Sequence, residues 1–476
     1  MKNWKTDIGE ELRFEYFLRL IVLMVFLHSV VIQFFPFGYM AILRYFYDPH
    51  FHPIFLPLIY PVPDFISEVP AFVSRGSGVL GALLILWKPA RRLGSFLLLL
   101  ATAYMGFFEY PAIGVGDPIF ATIATVLVFF PGRNRLERER AQALLIGALA
   151  ATYLASGLTK INSEFLSGDS LRYDLSLIFK PHVGELYRTW ELYQVASIAG
   201  ILLELIAASL FFVGSSGLGF LAALLFHSLN GAQINWAFAV ILLPASFPFL
   251  FHWKTTATKL YFWFVALAAV GVHVYGLLAG AGLLFFHFSD RAYSLIISLS
   301  PMVIAAVIVW WQLPEFSQNL FRKSLRPLFF RLQMTSFIGV MVFAGLCRVF
   351  NVPTPWGFTQ FSGITSAHVT QFVMAIKSPE AKIQTSVINH FSSRWDIRRI
   401  YRNDRLIVYA FPTAQMRDYL RMSLCKRDPN LKFQIFEIKG LSLSSHNENA
   451  NRNEAANLVL ERLPNLELNG SDLSCN

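Results

Sequence analysis

Lys160 closes the apolar run QALLIGALAATYLASGL and is followed within four residues by Asn162 and Glu164. A lysine in that place can serve as an anchor, its stem in lipid and its ammonium at the interface. It can also do chemistry: apolar neighbours disfavour the charged form and leave an amine able to act as a base. Further along, LLFHSLNGAQIN sets His227 and Asn230 at i and i+3, on one face of a helix. Glu204 stands inside another apolar run, GILLELIAASLFF. Charge is expensive in lipid, so a mid-span carboxylate is either a neutral or hydrogen-bonded packing group or part of a site. As a packing group it should tolerate replacement by Gln.

Depth separates these residues. At roughly 1.5 Å of rise per residue, Glu204 falls about 18 Å below the start of its run, which predicts no direct contact with Lys160. Leu154, Leu158 and Ile161 would then surround the lysine, with His227 and Asn230 as uncharged polar partners at the same level. Glu164, one turn on, would hold Lys160 charged if the helix continued that far.

The remaining candidates are weaker. His273 and His287 share a helix face but stand about four turns apart, too far to grip one ion. His50 and His52 form an HxH in a Pro- and Phe-rich stretch, where a surface role is the simpler reading, and no third ligand converges with any of these, so no metal is expected. Cys347, Cys425 and Cys475 form no CxxC. At most a partial disulfide is expected between the last two.

The elements that must position these groups are membrane spans. Of 476 residues, 55% are hydrophobic and only 15% charged, with a mean hydropathy of +0.49. Ordinary soluble domains carry roughly 25% charge. The apolar residues come as long blocks, near 14–35, 71–87, 93–113, 118–131, 142–160, 192–213, 217–230, 235–252, 260–288, 292–312 and 328–349. Blocks of this kind predict an all-α polytopic protein of about eleven crossings. The fourth and seventh are short, and 217–252 could form a re-entrant hairpin. The first run is too long for a cleaved signal peptide.

Lysine and arginine set the orientation. With the amino terminus inside, the inner segments hold Lys2, Lys5, Arg13, Lys88, Arg91, Arg92, Arg133, Arg135, Arg138, Arg140, Lys254, Lys259, Arg322, Lys323 and Arg326. The outer segments hold Arg44, Arg172, Lys180, Arg188 and Arg291, five against fifteen. This places Lys160 at the outer end of its span and the carboxyl-terminal tail outside the cytoplasm. The net charge of +10 is accounted for by residues flanking spans, and no nucleic-acid partner is implied.

The chain divides into a multi-span part, 1–350, a small soluble α+β part, 351–440, and a polar tail, 441–476, expected to be disordered. Within the second part, IRRIYRNDRLIVYAF reads as two strands about Asn403–Asp404, and TAQMRDYLRMSLC as a short amphipathic helix.

YLASGLTKINSEFLSGDSLRY resembles the segment of vitamin K-dependent gamma-glutamyl carboxylases that carries the catalytic lysine, through Gly157, Lys160, Ile161, Asn162, Glu164, Phe165 and Gly168. LLELIAASLFF is similar to that family's acidic helix, with Glu204 at the carboxylate. FHSLNGAQINWAFAVILLPASFPFLF resembles its Phe-His helix, through His227, Asn230 and the turn at Ser246–Phe247–Pro248. Together these define the wider HTTM membrane domain. The resemblance spans roughly residues 10–310 and is specific in 150–252.

It implies Lys160 as the base that starts oxygenation of a reduced quinone of the vitamin K type, with His227 and Asn230 as catalytic partners. It implies Glu204, Asn162 and Glu164 as substrate- or cofactor-binding groups, and a peptide or envelope protein as substrate. The chain departs from the pattern in two places. FEYPAIGVGDPIF carries Asp117 where relatives have an Asn-His pair, and only about 120 residues follow the last span. Three functions therefore remain: a lipid-phase enzyme with Lys160 as base, a non-catalytic HTTM accessory or sensor of the cell envelope, and a transporter. No inverted repeat of broken helices speaks for the last.

Overall fold

The structure, a computed structural model, describes residues 2–27, 71–108, 116–161, 163–168, 190–213, 216–230, 255–280, 303 and 327–349, and four short strands in the tail. The helices are α1 (Lys2–Phe26), α2 (Ala71–Leu86), α3 (Arg91–Phe108), α4 (Gly116–Phe129) and α5 (Arg135–Thr159), then α6 (Ser163–Leu166), α7 (Trp190–Phe212), α8 (Ser216–Asn230), α9 (Thr255–Gly280) and α10 (Pro327–Val349). Ahead of the tail the described residues contain no strand.

Three of these helices are long and apolar enough to cross a membrane: Arg135–Thr159, Leu192–Phe212 and Pro327–Leu346. Gly76–Leu86, Ile119–Phe129, Leu218–His227 and Thr258–Gly271 are apolar but shorter. The runs at 235–252 and, apart from Val303, at 292–312 lie outside the described residues, as does half of the suggested hairpin at 217–252. Many large apolar side chains face outward, among them Leu80, Leu83, Val195, Leu202, Trp263, Leu267 and Val342. So much exposed apolar surface is what lipid, and not water, would cover.

Helix α5 runs through the middle of this arrangement, packing on α7, α10, α4 and α1. Its start is specified locally. The Asn134 side chain accepts from the Glu137 N–H at 2.9 Å, while Glu137 Oε2 accepts from the Arg133 N–H at 2.9 Å. This satisfies donors that the first turn would otherwise orphan. Small residues then let neighbours approach. A Cβ on Gly147 would overlap the backbone carbonyl of Gln333, so α10 touches α5 main chain to main chain. Gln333 Nε2 in turn donates to Phe211 O and Phe212 O at the end of α7. Phe17, Leu18 and Ile21 of α1, Ala124 and Leu127 of α4, Ile146 and Ala150 of α5, Phe211 of α7, Phe220 of α8 and Val265 of α9 form one buried cluster.

Helix α1 begins well before its apolar run, and the reason is electrostatic. Its early turns carry Glu10, Glu11 and Glu15, which face the basic residues of the turns after α2 and α4. Lys88 Nζ donates to Glu11 Oε1 at 2.8 Å, and Arg91 Nη2 to Glu15 Oε1 at 2.8 Å. The Lys88 ammonium beside Glu11 holds its carboxyl below the usual carboxylate range. Arg91 is fully buried, donating also to Ile85 O at 2.9 Å and Pro131 O at 3.1 Å, with its guanidinium 5.3 Å from the Phe14 ring centre. Some of the basic residues counted above for orientation are therefore also a clamp between helices.

In the tail, β1 (Gln371–Lys377), β2 (Ile383–Ile388), β3 (Lys432–Ile438) and β4 (Asn469–Ser474) pair antiparallel in the order β2-β1-β3-β4. The strands read from sequence at 397–411 and the short amphipathic helix after them lie outside the described residues. The fourth strand falls within the polar stretch expected to be disordered.

Candidate functional site

Helix α5 stops at Thr159, and Lys160 is its C-cap, with its N–H on Gly157 O at 3.2 Å. Side chains on a helix lean toward its amino end. The Lys160 stem accordingly runs back along α5, and Nζ donates to Ser156 Oγ at 2.8 Å. From α7, Glu204 meets the same ammonium with both oxygens, each at 2.7 Å. Ser156 Oγ donates to Glu204 Oε1 at 2.7 Å, closing a three-membered ring of polar groups. An ammonium has three N–H donors, and these partners use all three. Two phenyl rings flank the cation, Phe226 with its centre at 5.2 Å and Phe165 at 5.9 Å. Lys160 is 7% exposed and Glu204 2%.

The direct Lys160–Glu204 contact corrects the depth argument made from sequence. That argument set the outer ends of both runs level. In fact α7 overshoots α5. A Cβ on Gly168 would lie 2.7 Å from Gln194 N, so the first turns of α7 pack beside the α6 turn beyond the end of α5. At Gly157, where α5 has no side chain, a Cβ would sit 3.0 Å from Leu205 Cδ2 and 3.4 Å from Glu204 Cβ. Glu204 thus lies at the level of Gly157, within reach of a lysine that folds back one turn.

Glu164 does not extend the helix of Lys160, because α5 ends and α6 starts separately at Ser163. The continuous helix on which an i, i+4 pairing of Lys160 and Glu164 depended is therefore not formed, and the carboxylate seen on Lys160 is that of Glu204. The side chains of Glu164 and Asn230 lie outside the described part, as does Asn162 entirely. Asn230 is the last residue of α8.

His227, 5% exposed on α8, lies with Nε2 2.9 Å from Tyr153 Oη. The Tyr153 ring stacks on Phe211 at 5.9 Å, and Phe226 meets the imidazole edge-on at 5.0 Å. Tyr153 and Ser156 were not singled out from sequence, and Phe165 and Phe226 entered only as parts of the motifs that carry the resemblance. A signal existed for Ser156, four residues before Lys160 on the same helix face, but attention went forward to Glu164. Among the described residues, no three His, Cys, Asp or Glu side chains converge in a way that could hold a metal ion. His50, His52 and His287 lie outside those residues, as does the side chain of His273.

No family model, curated protein or solved structure matches this chain. The reading of the site therefore rests on its chemistry. Moving one proton from Lys160 to Glu204 would convert an ion pair into an amine and a carboxylic acid across 2.7 Å, with no displacement of heavy atoms. That amine would have a lone pair to offer, and the ammonium has none.

Proposed function

We propose that the chain is an integral multi-pass membrane protein with a gamma-carboxylase-like (HTTM) core of about eleven crossings, in which Lys160 acts as base on a lipid-phase substrate. The observation that carries this reading is a buried lysine hydrogen-bonded to a buried carboxylate at the end of an apolar helix. Buried, desolvated ion pairs in apolar helices gather at functional sites. In the resting pair Glu204 holds the charge balance. In the reactive form it holds the Lys160 proton, and the free amine removes a proton from a substrate hydroxyl.

A reduced quinone fits these residues. Its ring suits the phenyl groups of Phe165 and Phe226, and its hydroxyl suits the base. When bound, such a group would supply the ionisable hydroxyl and the reducing electrons. His227 and Asn230 are assigned as partners of the base, and Asn162 and Glu164 as substrate-side groups. The amino terminus is assigned to the cytoplasm and the tail to the outer side, where a peptide or envelope protein would be met.

The test is quinone-dependent oxygen uptake by the purified protein. Uptake that falls at least about 100-fold in Lys160→Ala, within the range typical of a lost acid–base group, supports the proposal. Uptake that is absent or equal in both proteins sinks it. A second reading is favoured by one observation, the use of all three Lys160 donors within the protein. On that reading the chain is a non-catalytic accessory or sensor of the envelope, and the pair pins α5 to α7.

A further inference from the structure

We infer that Tyr153 is a positioning residue for this base, its hydroxyl donating to His227 Nε2 and holding the imidazole in its Nδ1–H tautomer beside the Lys160–Glu204 pair. The inference rests on the proposed role of Lys160 and adds a residue that neither the motif nor its spacing indicated.

Tyr153, Ser156 and Lys160 recur at i, i+3 and i+7, which puts them on one face of α5. Phe211 and Glu204 of α7 and Phe226 and His227 of α8 oppose that face. Tyr153 and His227 are 3% and 5% exposed, so their hydrogen bond is formed away from water. Stacking on Phe211 fixes the phenol, and the edge contact with Phe226 fixes the imidazole.

Phe226 is shared between the two halves of the cluster. Its ring meets His227 edge-on, and its centre lies 5.2 Å from Lys160 Nζ. A protonated His227 would put a second cation beside that ring, where Glu204 already balances Lys160. One buried carboxylate can balance one cation, and the surplus charge is strongly unfavourable. His227 therefore stays neutral, and a neutral ring accepts the Tyr153 O–H at Nε2 only when its own proton sits on Nδ1. Glu204 is thereby left to Lys160, as a proton exchange between the two requires.

The test uses the full chain in detergent, with histidines labelled by nitrogen-15. The His227 ring signals are identified by their disappearance in His227→Gln. In the wild type His227 should show the spectrum of a neutral ring protonated on Nδ1 and accepting at Nε2. In Tyr153→Phe, which keeps the ring and its stacking, the signals should shift toward those of a ring protonated on Nε2, or of a mixture of the two neutral tautomers. A protonated His227 in the wild type overturns the inference without any variant. So does a proton on Nε2 in the wild type, or an Nδ1–H ring that persists unchanged in Tyr153→Phe. Oxygen uptake that ignores Lys160→Ala is a separate result, which removes the base and leaves the histidine spectra to decide Tyr153.

Discussion

Glu204→Gln leaves the Lys160 ammonium buried at 7% exposure without its counter-charge. Breaking a buried pair in this way costs about 3–5 kcal/mol. The variant should therefore unfold in detergent at a clearly lower temperature, contrary to the tolerance expected when Glu204 was read as an isolated packing group. Replacing both residues by apolar ones of similar size, Lys160→Met with Glu204→Leu, should recover most of that loss, because no charge then remains to be balanced. If the double variant is no more stable than Glu204→Gln, the pair is not the source of the effect. Lys160, Glu204 and His227 were legible in the sequence because ionisable residues are rare in apolar runs. Their pairing was not, since a one-dimensional reading carries no information on how far α7 overshoots α5. Tyr153 and Ser156 escaped notice because a phenol or a hydroxyl inside an apolar helix is unremarkable until its partner is known.

Helix positions were the most readable feature, and close approaches between helices the least. The apolar runs at 192–213 and 328–349 coincide with α7 and α10, whereas α5 starts seven residues ahead of its run at 142–160 and α1 a dozen ahead of its own. Pattern reading cannot supply that extension, since the partners that hold Glu10, Glu11 and Glu15 lie far along the chain. Contact between α5 and α10 can be tested at one atom. Gly147→Ala would drive a methyl into the Gln333 carbonyl and should destabilise the fold by about 1–3 kcal/mol or more. Gly339→Ala, on the same α10 but with nothing within 4 Å of the new methyl, should be neutral or slightly stabilising. Equal melting temperatures for these two variants would show that α10 can shift away at little cost.

On the scale of the whole molecule, the assigned orientation places residue 440 outside the cytoplasm. A reporter active only on that side, fused after Gly440, should be active, and a well-expressed silent fusion would overturn the crossing count or the orientation. The clamp at the start of α1 should respond to acid. The folded Glu11 carboxyl is held below its ordinary value by Lys88. Its contribution is therefore present above about pH 4.5 and fades as pH falls through the lower folded value. Partial exposure makes that contribution small and sensitive to salt. Loosening of α1, read by proteolysis near residue 10, should begin on acidification and be matched by Glu11→Gln at neutral pH. The buried Arg91 of the same clamp also imposes a schedule on synthesis. Glu15 and Ile85 are made before Arg91, but Pro131 follows 40 residues later. At about 5–20 residues per second, the guanidinium waits roughly 2–8 s for its third acceptor. A nascent chain arrested before Pro131 therefore displays an unfinished cation, and should be the form that chaperones retain and membrane proteases remove first.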